Sequence, residues 1–128
     1  MRNVKKRGGS AWDGGHYIDL WLLVHFLNGM LLGFAFLFFG TDFFLALGMA
    51  VVLLILWEGL EAALRLYETW ENRVIDITIG VLGFLTIYWA FPTLDRPIHI
   101  IFFGVIAILS ALLSLSGWKA YERRTSRG

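Results

Sequence analysis

The chain has 128 residues, of which 58% are hydrophobic, 16% aromatic and only 16% charged, with a formal net charge of +1. That much apolar surface exceeds what one small water-soluble core can bury, so the composition excludes an ordinary soluble domain and makes lipid the expected solvent. The basic residues collect at the edges of apolar runs, which argues against a nucleic-acid partner, and the absence of cysteine excludes disulfides and thiolate metal sites.

Residues 1–17 form a basic N-terminal segment with Arg2, Lys5, Lys6 and Arg7. The apolar run behind it is too long for a cleavable signal and has no small-residue cleavage site, so none is expected. A membrane-spanning helix needs about 20 mostly apolar residues. Four segments qualify, at 18–39, 43–64, 74–92 and 98–118, and a basic tail follows at 119–128. Short connectors make successive helices antiparallel. The expected fold is therefore all-α, a single integral-membrane four-helix bundle. Ten of the eleven Lys and Arg residues then fall on one side and only Arg96 on the other, which by the positive-inside rule puts both termini in the cytoplasm of an inner-membrane protein. Trp12, Tyr17, Trp21, Trp89, Trp118 and Tyr121 lie near span ends, as interfacial anchors do. Gly40-Thr41-Asp42 and Asp95-Arg96-Pro97 are the external turns, with Pro97 placed to start the fourth helix.

Ionisable residues interrupt this apolar pattern within one depth band, in the cytoplasmic half of the spans. With a rise of about 1.5 Å per residue, His25 lies about 10 Å into the first span, Glu58 about 9 Å and Glu61 about 4–5 Å inside the end of the second, and Asp76 about 3 Å into the third. Helical phase puts His25 and Asn28 on one face with Gly29 and Gly33 beside them, a G-x-x-x-G that admits a close neighbour. Glu58 and Glu61 repeat the three-residue spacing, with Arg65 one turn below Glu61. Asp76, Gly80 and Gly83 share a face of the third helix. From Ile100 to Leu115 the fourth helix has only Ser110 and Ser114 as polar side chains, which makes it the outer, packing helix.

A charged side chain in the hydrocarbon costs about 2.5–3.5 kcal/mol on insertion scales, so each carboxylate there must be paired, protonated, metal-bound or hydrated. Plainer roles exist for the individual residues. Glu61 and Arg65 suit an interfacial ion pair, Asp76 a helix-start carboxylate favoured by the dipole, and His25 an interhelical hydrogen bond. The coincidence of depth across three helices is what marks the group as a site.

The stretches "DLWLLVHFLNGMLLGF" from Asp19, "WEGLEAAL" from Trp57 and "NRVIDITIGVLGF" from Asn72 resemble the VanZ-like and YjdF-like families of small bacterial membrane proteins. The family pattern falls on Asp19, His25, Gly29, Glu58, Glu61, Asp76, Gly80 and Gly83 over about two-thirds of the chain. It departs from the VanZ-like form at Glu61, where Gln is common, and at Ile79, where Asn precedes the glycines. The resemblance implies a polar site carried by Asp19 and its partners. It implies less about activity, since VanZ-like proteins are linked to glycopeptide resistance and YjdF-like proteins have no established activity.

One imidazole, three carboxylates and an amide make an oxygen-rich donor set suited to Mg²⁺, Mn²⁺, Zn²⁺ or Fe²⁺. His25, Glu58, Glu61 and Asp76 are the candidate metal ligands, with Asn28, Asp19 and Arg65 in support. Glu58 or Glu61 is the candidate base, should a metal near the inner leaflet bind a lipid phosphate and activate water. No nucleophile motif or phosphate-cradling glycine loop accompanies them. Two other expectations stand beside that one: an oligomeric ion- or proton-coupled transporter with Gly29 and Gly33 as a contact between copies, and a structural subunit of a larger membrane complex with the aromatic run Phe34 to Phe39 turned to lipid or a partner. No haem is expected, because His99 lies at the outer end while His16 and His25 lie at the other.

Overall fold

The computed structural model describes residue 12, residues 19–64 and residues 69–126. Its regular elements are all α-helices: α1 (Leu20–Phe38), α2 (Phe43–Ala63), α3 (Trp70–Ala90) and α4 (Arg96–Thr125). Each is long and apolar enough to cross a membrane.

Local chemistry sets the helix ends. Asp19 Oδ1 accepts from the Trp21 and Leu22 amides at 3.0 and 3.3 Å and so caps α1. Asp42 Oδ2 does the same for α2 through Phe44 and Leu45 at 3.0 and 3.2 Å. Between them the chain reverses at Gly40, whose φ of 64° lies in the left-handed region that glycine tolerates. α3 begins one turn earlier than the 74–92 reading because Thr69 Oγ1 caps the Asn72 amide at 3.3 Å and Glu71 suits the positive end of the dipole. α4 outruns the 98–118 reading. Pro97 sits in its first turn, and Trp118 Nε1 donates to Glu122 Oε1 at 3.0 Å one turn on, within a helix of 30 residues. At about 45 Å it is longer than a hydrocarbon layer of about 30 Å.

The helices do not form a closed square. α1 and α3 are the central pair and run parallel; α2 lies antiparallel mainly against α3, and among the described residues α4 approaches the backbone of α1 alone. The α1–α3 contact is backbone against backbone. A Cβ at Gly29 would overlap the Gly80 carbonyl, one at Gly83 would overlap the Phe26 carbonyl, and one at Gly33 would stand 2.9 Å from Ile87 Cβ. Gly29 and Gly33 are therefore spent inside the chain on α3 and are buried, which overturns their assignment to a contact between copies.

Away from the helix ends near Asp19 and Ala63, the core is apolar. Leu27, Phe34, Ile87 and Ile106 join α1, α3 and α4, while Ala46, Ala50 and Phe84 join α2 to α3. Phe34 is completely buried, so the aromatic run that begins with it is not uniformly turned to lipid; Phe39, at its end, is 78% exposed. His99, also buried, donates from Nε2 to the Phe34 carbonyl at 2.6 Å and pins the start of α4 to α1. At the other end Trp12 is buried. Its ring meets Trp21 edge to face at 5.0 Å, and both rings lie over Gly117 of α4 where a Cβ would fall 2.7 Å from each.

Gly29→Ala is expected to lower the thermal midpoint of the detergent-solubilised protein by roughly 5–15 °C, the scale of an overpacked contact in a small domain. Gly104→Ala, whose Cβ meets nothing within 4 Å, should leave the midpoint unchanged or slightly higher. Circular-dichroism melts of both variants check this.

Candidate functional site

His25, Glu58 and Asp76 stand at one level. Counted from Leu20, Ala63 and Trp70, each lies about 8–9 Å from the end of its helix, and Glu61 lies about 3 Å from the end of α2. The added first turn of α3 moves Asp76 well inside its helix, and it is only 1% exposed. That removes the reading of Asp76 as a surface carboxylate at a helix start. His25 and Glu58 are 3% and 5% exposed, so all three ionisable groups are held out of solvent.

The glycine seam explains why they meet. A Cβ on Gly80 would be 3.5 Å from the His25 carbonyl and in collision with the Leu54 side chain of α2, so three helices converge on that glycine. Asp76 is one turn below Gly80 and Glu58 one turn beyond Leu54. The imidazole lies between the two carboxylates. Its Nδ1 is 3.6 Å from Glu58 Oε1, and its Nε2 is 3.7 Å from Asp76 Oδ2. These are ion-pair separations, a few tenths of an ångström beyond hydrogen bonds. Asn72 Nδ2 donates to the same Asp76 oxygen at 3.2 Å.

Glu61 completes a second grouping. One donor atom from each of His25, Glu58 and Glu61 lies within 4.8 Å of the others, a spacing that can hold a metal ion. Glu61 is half-buried, and its Oε1 accepts from Trp57 Nε1 at 2.8 Å. Asp76 is not in this group, contrary to the four-ligand expectation. The two nitrogens of an imidazole point to opposite sides of the ring, and Asp76 is on the side away from Glu58.

The supporting residues are distributed differently from the sequence reading. Asn28 Oδ1 accepts from Ser110 Oγ at 2.6 Å, which ties α1 to α4 rather than to the carboxylates. α4 is thus the outer helix, yet not a purely apolar one. Asp19 is the α1 cap described above. Arg65 lies outside the described residues. Asn72 and Trp57 were missed, although each stands four residues before a carboxylate that it contacts, a spacing legible in the sequence. His99 and Ser110 had no such signal, because both act across helices.

Asn28→Ala and Ser110→Ala, combined in a double-mutant cycle, are expected to show a coupling of about 0.6–1.7 kcal/mol, the range of interhelical hydrogen bonds in membranes. Reversible unfolding in mixed micelles measures it; additive effects would contradict the bond. No protein family, no curated protein and no solved structure matches the chain.

Proposed function

We propose that this chain is a four-span inner-membrane protein, with both termini cytoplasmic, that binds a divalent cation through His25, Glu58 and Glu61 near the cytoplasmic leaflet. The observation that carries the reading is the convergence of three metal-competent side chains from α1 and α2 within 4.8 Å, with His25 and Glu58 buried. The orientation rests on the one-sided distribution of Lys and Arg. The VanZ-like and YjdF-like pattern falls on these same residues and accords with a polar site there.

The donor chemistry fits the group. A nitrogen and two carboxylates suit Zn²⁺, Mn²⁺, Fe²⁺ or Mg²⁺. Donors around an ion bonded at about 2.1 Å are about 3–3.5 Å apart, so the site closes on the ion by about 1 Å of glutamate movement. The two glutamates neutralise a divalent charge, which offsets the expense of holding them out of water. Three protein donors leave positions open, and the adjoining face of α2, with Trp57 and Leu60 exposed, gives lateral access to an amphiphile bearing a phosphate. A glutamate released from the ion would be the base if water is activated there.

A second reading is favoured by the placement of His25 between Glu58 and Asp76, which also suits polar glue among helices of a larger membrane assembly. The two readings separate in one experiment. Protein purified in mild detergent without chelator is expected to carry about one divalent ion per chain by mass spectrometry, and His25→Ala and Glu58→Gln to lose it while remaining helical. Absence of metal from wild type, even after supplementation, together with a sharp loss of thermal stability in both variants, would overturn cation binding in favour of glue.

A further inference from the structure

We infer that Asp76 is a positioning residue of the cation site, holding His25 with its ring proton on Nε2 so that the Nδ1 lone pair faces the ion. The inference deepens the cation-binding reading and rests on it for the identity of what Nδ1 meets.

Three observations carry it. The ring stands between two carboxylates, and each faces a different nitrogen: Glu58 faces Nδ1 at 3.6 Å and Asp76 faces Nε2 at 3.7 Å. The donors that cluster tightly enough for a metal include Glu58 and Glu61 and leave Asp76 out, so the ion belongs on the Nδ1 side. Asp76 is itself held, almost completely buried and accepting from Asn72 Nδ2 at 3.2 Å, on a helix that supplies none of that tight group.

The chemistry follows from the two-sided ring. A neutral imidazole has one N–H and one lone pair, and each nitrogen here faces a carboxylate; a cation held by Glu58 and Glu61 takes the lone pair on Nδ1 and leaves the proton on Nε2, toward Asp76. The other nitrogen is then the ligand. A carboxylate partner also raises the basicity of the ligating nitrogen and fixes the plane of the ring, and loss of such a partner typically weakens metal binding about 10–100-fold. Asp76 further makes the assembly with a divalent ion, Glu58 and Glu61 net negative by one. That favours retaining the ion in a medium that disfavours releasing it to an unpaired carboxylate. The α3 helix therefore acts on the site without binding the ion: Asn72 orients Asp76, Asp76 orients His25, and His25 binds.

The test uses the full chain in detergent micelles with ¹⁵N-labelled histidine and Zn²⁺ as the probe. Long-range ¹H–¹⁵N spectra of the Zn²⁺-loaded wild type are expected to show His25 coordinated through Nδ1 with its proton on Nε2. His25 is assigned by the signal missing from His25→Ala. Asp76→Asn should weaken Zn²⁺ by roughly 10–100-fold with unchanged stoichiometry at saturation, and Asp76→Glu should restore part of the affinity. Coordination through Nε2, or wild-type affinity in Asp76→Asn, would overturn the inference. If Asp76→Asn fails to fold, the wild-type spectra decide alone. If wild type takes up no Zn²⁺, the cation-binding reading fails and the role of Asp76 fails with it, whereas Zn²⁺ bound through Nε2 overturns the role of Asp76 alone.

Discussion

The molecule depends on one contact, the meeting of the α1 and α3 backbones at Gly29, Gly80 and Gly83. In lipid, helices gain little from hiding apolar surface from each other, so association rests on close packing and polar contacts. The absence of side chains at these positions brings the two backbones together. The same contact fixes how far Asp76 stands from the His25 ring. A wider separation would leave two buried polar groups with their partners out of reach. The glycines and the titratable residues are thus two parts of a single arrangement.

Polarity is distributed along the helices to match. The half of the protein holding Phe34, Phe84 and Ile87 is closed with aromatic and branched side chains, and its buried polar contacts end on backbone carbonyls, as with His99 and Phe34. The other half carries side chains that can bind something that is not protein.

Much of this was legible in the sequence, for identifiable reasons. The four spans follow from hydropathy and length, which a regular helix converts directly into distance. The common depth of His25 and Glu58 follows from the same rise, and Asp76 joins that level only with the added first turn of α3. What the sequence does not specify is which helix each face meets. Gly29 and Gly33 permit close approach by any smooth helix, whether α3 or a second copy, and only the folded chain selects α3. Asn28 shares a face with His25 to within one helical step, yet that step turns its amide to Ser110 on α4. The start of α3 was misplaced because Trp70 to Arg73 read as a polar connector, whereas Thr69 caps them into the helix. That one turn changes Asp76 from a boundary residue into an interior one.

The order of the chain adds a consequence for biogenesis. α1 and α2 leave the ribosome before α3, yet the principal neighbour of α1 is α3. Until α3 arrives, Glu58 is the partner that α2 can offer His25, and the glycine face of α1 has no neighbour from its own chain. The hairpin of α1 and α2 is therefore an intermediate with one polar contact made and one outstanding. Asp76, two turns into the third helix, is the residue that completes it. The buried polar groups thus close as a latch only once α3 is in place.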